Sequence, residues 1–169
     1  MHEITNGYTV AKISSFQDLE RIEKQWDEIV QLNSASITGL DFSSLFCWNQ
    51  LLQSTHGAGK NAEVFVLRKD DSIVGILPVF RYQNNSRMIT RFLAPMTELY
   101  SNRPGFILQT PTRDNLFAML DSMLQSQKQW DIFELTLVDD SKDQKLFIDY
   151  LNQRGYEFVI DSQSSTPYM

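Results

Sequence analysis

Between Ala62 and Ala94 the chain offers three strand-forming stretches in close succession, Ala62 to Arg68, Ser72 to Tyr82 and Arg87 to Ala94. The joints between them leave room for little but hairpins. Asp70-Asp71 and Asn84-Asn85 occupy those joints, and both residue types tolerate left-handed backbone. An antiparallel meander is therefore expected. Its middle stretch carries Pro78, which cannot donate to a ladder, so a bulge or a missing ladder bond is expected there. The same stretch holds the longest apolar run, Ile73 to Phe80, far short of the about 20 residues a membrane span needs.

Helical patterns flank the meander. Tyr8 to Ile13 alternates as a short strand. Ser15-Phe16-Gln17-Asp18 then reads as a capping box. Behind it Phe16, Leu19, Ile22, Trp26, Ile29 and Val30 form one apolar stripe, with Glu20 and Lys24 paired on the opposite face. A second helix is expected on the stripe Leu45, Trp48, Leu51 and Leu52, stopped by Gly57 and Gly59. After the meander Thr110-Pro111 reads as an N-cap followed by proline at the first helical position. Leu116, Phe117, Leu120, Met123 and Leu124 give the stripe of that third helix. Trp130 to Val138 is apolar on both faces apart from Glu134 and Thr136, as a central buried strand would be. Ser141-Lys142-Asp143-Gln144 caps a fourth helix that ends at Gly155, and Tyr156 to Ile160 is expected to close as a strand. The order is β, α, α, β, β, β, α, β, α, β: an α/β chain with a mixed central sheet and helices on both faces. No repeat or linker divides residues 1–169, so one domain is expected.

Charge and cysteine usage narrow the function. Fifteen basic residues against 21 acidic ones give a net charge of -6, which argues against nucleic acid as a partner. The single Cys47 fits a reducing cytoplasm, and no signal peptide is visible at the start. Two histidines and one cysteine lack metal-ligand spacing, so no metal is expected. His2 sits at a terminus, where order is not expected. Ser54 to Asn61 invites comparison with a phosphate-binding loop, but Ser54 replaces its first glycine and Asn61 its hydroxyl. A glycine helix stop is the simpler account. Cys47 and His56 lack a third orienting group, and Asp139, Asp140 and Asp143 suit the start of a helix. The segment from Pro95 to Thr110 is long and irregular, and segments of that kind carry function. Tyr100, Asn102 and Arg103 lie in it and are the candidate substrate-binding residues.

The element order resembles the GNAT acyltransferase fold. More narrowly, the chain resembles the N-terminal half of the CelD-like family, double-GNAT proteins linked to cellulose and envelope polysaccharide biosynthesis. Trp26-Asp27-Glu28-Ile29, Asp41-Phe42-Ser43-Ser44 before Cys47-Trp48, Val74 to Val79 and Asp131 to Leu135 carry the resemblance. It implies acetyl-CoA as donor, lying where the fourth and fifth strands splay apart. It also implies a saccharide or amine acceptor, and a second GNAT-like half or a homodimer partner. In such folds a glycine-rich turn at the start of the third helix holds the pyrophosphate of CoA. Here that place reads Gln109-Thr110-Pro111-Thr112-Arg113-Asp114, with no glycine between Gly105 and Gly155. The resemblance therefore implies a domain with little or no catalysis alone, whose Arg103 and Tyr100 would meet an acceptor. The alternative is a non-enzymatic interaction module that kept the fold. A complete N-acetyltransferase with an unusual CoA turn, or a relative of the FemAB-like aminoacyl transferases, fits the same pattern less closely.

Overall fold

A computed structural model of the chain describes residues 2–4, 7–13, 15–32, 61–84, 90–95, 106–126, 130–135, 137 and 141–161. Their strands are β1 (His2–Ile4), β2 (Tyr8–Ile13), β3 (Asn61–Lys69), β4 (Ser72–Asn84), β5 (Thr90–Pro95), β6 (Ile107–Leu108) and β7 (Ile132–Phe133). The helices are α1 (Phe16–Glu20), α2 (Glu23–Leu32), α3 (Arg113–Ser126) and α4 (Lys142–Arg154). One mixed sheet runs β1-β2-β3-β4-β5-β7, with β6 also paired to β4. Every pairing is antiparallel except β5 with β7.

The meander forms as expected. Asp70 and Asp71 both take positive φ, 46° and 66°, which closes the β3–β4 hairpin in two residues. Alternation then sorts the apolar side chains onto two faces. Phe65 and Leu67 join Tyr8, Val10, Leu77, Val79 and Leu108 under α3 and α4. Val64 and Val66 join Ile73, Ile76 and Ile107 under α1 and α2. The first helical stripe is interrupted between α1 and α2, where the Ile22 N–H reaches back only three residues to the Leu19 oxygen at 3.1 Å. The stripe itself survives the interruption, since Leu19, Ile22, Trp26, Ile29 and Val30 remain in one cluster.

Four expectations are corrected. The terminus at His2 is a strand paired to β2 across a turn at Gly7, whose φ is 76°. The bulge lies four residues before Pro78: Leu67 faces Gly75 and Arg68 faces Ile73, which leaves Val74 as the extra residue. Trp130 to Val138 does not read as a central strand, because among the described residues only Ile132–Phe133 pairs, at the sheet margin, with Ile132 exposed. Tyr156 to Ile160 forms no strand, and Phe158, Val159 and Ile160 stay exposed. The second helix expected around Trp48 lies outside the described residues, as do Cys47 and His56.

β4 carries partners on both of its sides. β3 occupies one side of it, while β5 and β6 occupy the other in succession. Val79 faces Pro95, so an unbroken register would set residue 98 opposite Ile76; Ile107 stands there instead. The register therefore steps by nine residues between β5 and β6. Pro78 falls at this step, where β4 has neither β5 nor β6 beside it. A residue without an N–H disturbs the second ladder least at that point.

The return of the chain at β6 depends on Gly75, the partner of Leu108. A Cβ on Gly75 would meet Leu108 Cδ2 at 2.7 Å and Leu67 Cβ at 3.4 Å, with both leucines buried. Gly75→Ala should therefore cost about 1–3 kcal/mol of stability by overpacking. Urea unfolding checks this; a midpoint equal to wild type would mean that β6 does not press on β4.

Candidate functional site

Pairing thins toward the β7 margin of the sheet. β5 and β7 pair only at Phe92 with Ile132 and Leu93 with Phe133. Beyond those pairs Leu135 and Leu137 take no ladder partner among the described residues, while β6 resumes on β4. The half-buried Phe147 of α4 lies beneath the opening, with ring centroids 5.9 Å from Phe106 and 6.0 Å from Phe133. The apolar floor thus joins the start of β6 to the end of β7.

The start of α4 borders the opening. Ser141 caps it, accepting the Gln144 N–H at 3.1 Å, as the sequence pattern indicated. Asp143 in its first turn accepts the Phe106 N–H at 3.3 Å. Burial holds the Asp143 carboxyl above its ordinary value, and the Phe106 N–H and the Lys142 charge offset this only in part. Asp143 is thus a tether between α4 and the start of β6. Phe106 directly follows the interval in which Tyr100, Asn102 and Arg103 fall; those three lie outside the described residues.

The start of α3 closes the other side. Thr112, rather than Thr110, caps this helix: its Oγ1 accepts the Asn115 N–H at 3.3 Å, and the helix begins at Arg113. The hydroxyl three residues ahead of an open N–H wins the cap, which places Pro111 just outside. Asn115, buried at 8% exposure, uses both ends of its amide. Its Nδ2 donates to the Thr110 oxygen at 2.9 Å, and its Oδ1 accepts the Tyr8 hydroxyl at 2.7 Å. The Thr112 N–H donates to the same Thr110 oxygen at 2.8 Å, and the Gln109 N–H to the Val74 oxygen at 2.8 Å.

These bonds decide whether the turn fits a pyrophosphate. Such a group needs several main-chain N–H groups converging at a helix start. The Gln109, Thr112 and Asn115 donors are already engaged, and Pro111 has none. The helix start leaves only the N–H groups of Arg113 and Asp114 without an intrahelical acceptor. Asp114 adds an exposed carboxylate to that turn. The Arg113 guanidinium turns toward α4, 3.4 Å from Asp149, bonded to Gln153 and 4.8 Å from the Phe117 ring centroid. The turn does not fit the CoA pyrophosphate.

A separate network locks α3 to α4 away from the opening. The buried Tyr150 hydroxyl donates to Asp121 at 3.0 Å, and Arg154 forks onto the same carboxylate. Burial first, and the Asp121 charge second, raise the Tyr150 phenol far above its usual value. It is a structural donor. Among the described residues no group of three His, Cys, Asp or Glu side chains is placed to hold a metal ion, and no helix is long and apolar enough to cross a membrane.

No protein-family model matches the sequence, and no curated protein matches it. Solved structures do. An aminoglycoside acetyltransferase from an uncultured soil metagenomic sample, in complex with sisomicin, superposes with a TM-score of 0.57 at 15% identity, covering 98% of this chain and 100% of that one. The ribosomal-protein-alanine N-acetyltransferase of Brucella melitensis gives 0.53 at 14%, covering 96% and 99%. A predicted acetyltransferase with acetyl-CoA from Clostridium acetobutylicum gives 0.53 at 10%, covering 94% and 96%. At these identities the likeness establishes the fold: the chain is α/β and GNAT-like, with helices on both faces of a mixed sheet.

Asn115 is the residue whose loss should open the turn. Asn115→Ala leaves the buried Tyr8 hydroxyl without its partner, while the exposed Thr110 carbonyl keeps the Thr112 N–H, and should cost about 1–3 kcal/mol. In a Tyr8→Phe background the same substitution should cost less, because one stranded group has gone. A double-mutant cycle in urea measures the coupling; strictly additive effects would mean that the two side chains do not interact.

Proposed function

We propose that this chain is the acceptor-recognising half of a CelD-like acyltransferase of envelope or exopolysaccharide biosynthesis. On this reading residues 1–169 form a single GNAT-like domain that transfers acyl groups weakly or not at all alone. The observation that carries the reading is the closed turn before α3, where three of the donors that could meet a pyrophosphate are already bonded inside the protein. CoA brings two chemically separate parts to such a fold, a thioester that reacts and a pyrophosphate that anchors. Without the anchor, affinity for the donor falls even where the opening between β6 and β7 remains. Acetyl-CoA would then be held chiefly by a second GNAT-like half or by a partner subunit. The Clostridium acetobutylicum structure with acetyl-CoA supports the donor class in this fold.

The acceptor in this account is a saccharide or an amine. A similar acetyltransferase has been solved in complex with trehalose and with sisomicin, which supports a sugar-like acceptor. In this chain Tyr100 would stack on a sugar ring and Asn102 would bond its hydroxyls. Arg103 would meet a carboxylate or phosphate on the acceptor. In the sequence these residues fall between β5 and β6.

A second reading, a non-enzymatic interaction module that retains the fold, is favoured by the exposed Phe158, Val159 and Ile160. The acceptor reading makes a prediction that this alternative does not. Sisomicin, titrated and followed by saturation-transfer NMR, should bind in the millimolar range. Arg103→Ala and Tyr100→Ala should each weaken it at least about fivefold, the loss of roughly one charge-assisted bond or one stacking contact. The unfolding midpoint should not move. Unchanged affinity in both variants would remove the acceptor assignment.

A further inference from the structure

The stretch Tyr156–Asp161 has the residues of a strand and the surroundings of one, yet it pairs with no strand among the described residues. Its point of departure is fixed. Gly155 ends α4 in the left-handed region at φ 69°, and the Tyr156 N–H donates to the Leu151 oxygen at 3.0 Å. The Tyr156 ring then lies 6.3 Å from Trp130 and 6.1 Å from Tyr150, measured between centroids. These contacts hold the exit of α4 beside the approach to β7. From there Phe158, Val159 and Ile160 are 41%, 93% and 61% exposed, and Ile132 of β7 is 41% exposed.

β7 is also the terminal strand of the sheet, bonded to β5 along one edge only among the described residues. A strand edge that no described residue pairs, and a run of exposed apolar side chains leaving the helix whose end packs on Trp130, are docking features rather than stable surfaces. Strand addition supplies what both lack: main-chain partners for the edge and apolar cover for the side chains.

Charge decides between occupants. Glu157 and Asp161 bracket the three apolar residues, both are exposed, and no Lys or Arg occurs from residue 156 to 161. Two copies of this stretch would bring acids together on chains that each carry a net charge of -6. We propose that Tyr156–Asp161 and the outer edge of β7 dock an extended strand of another polypeptide in which apolar residues alternate with Lys or Arg. This refines the partner of the proposed function, and neither an acyl donor nor an acceptor enters its test, so the two can fail separately.

The probe is a fluorescent ten-residue peptide alternating Val and Lys, compared with its Val and Glu counterpart by anisotropy on the 169-residue protein. The Lys peptide should saturate at micromolar protein, and the Glu peptide should not. Val159→Asp should weaken the Lys peptide at least tenfold. That direction is diagnostic, because an added negative charge would strengthen attraction by charge alone. Val159 is almost wholly exposed, so the variant should keep its unfolding midpoint. Glu157→Lys with Asp161→Lys should shift preference toward the Glu peptide. Binding of the Lys peptide that Val159→Asp leaves unchanged or strengthens would overturn the proposal. So would a wild-type dimer in light scattering that Val159→Asp converts to monomer, since a second copy would then be the occupant.

Discussion

Tyr8 and Asn115 stand 107 positions apart and meet in a buried hydrogen bond of 2.7 Å. The geometry around the start of α3 depends on that bond. Tyr8 is fixed in β2 by its pairing with β1 and β3. Asn115 is fixed by its own helix, so the bond sets the height at which α3 crosses the sheet. The other end of the Asn115 amide then draws in the Thr110 carbonyl, and the turn folds onto itself. The Tyr8 end of this amide is buried, so breaking that bond strands a hydroxyl away from water. The protein has filled the inside of this turn with its own Asn115 side chain.

The sheet shows the complementary pattern, in that positions of weak pairing gather at one end. β3 and β4 share a long ladder broken once by the bulge at Val74, and that bulge brings Ile76 and Leu77 back into phase with the two cores. On the far side of β4 the partners shorten, from β5 to the two residues of β6, and β7 pairs for two residues only. The opening, the register step and the exposed Phe158 to Ile160 all belong to this margin. Long ladders thus gather on one side of β4 and short ones on the other.

Local signals in the sequence were read with most success where they act over a few residues. Ser15 and Ser141 cap helices in the structure, and Asp70-Asp71 makes the tight hairpin, because each outcome depends on neighbours within four positions. The two-faced alternation of Phe65 and Leu67 against Val64 and Val66 was equally legible. The N-terminal strand was missed although Asn6-Gly7, a strong turn pair, precedes Tyr8. The cap at Thr112 was missed because Pro111 satisfies the rule for a first helical position equally well. Trp130 to Val138 and Tyr156 to Ile160 have strand composition, but pairing needs a neighbour, and no local pattern supplies one. Most of the candidate site was illegible for the same reason: the Tyr8 to Asn115 bond and the wedge of Phe147 between Phe106 and Phe133 join distant segments. The candidates Tyr100, Asn102 and Arg103 were chosen by segment length and residue type, and they lie outside the described residues.

The central claim is that the turn before α3 is closed to the anchor of an acyl-CoA. Calorimetric titration of the protein with acetyl-CoA tests it most directly. The account predicts no saturable heat up to about 1 mM ligand, an interaction weaker than roughly 4 kcal/mol. A stoichiometric transition at micromolar ligand would contradict it, because the bonds of Asn115 and Thr112 would then have to open, or the pyrophosphate would have to be held elsewhere.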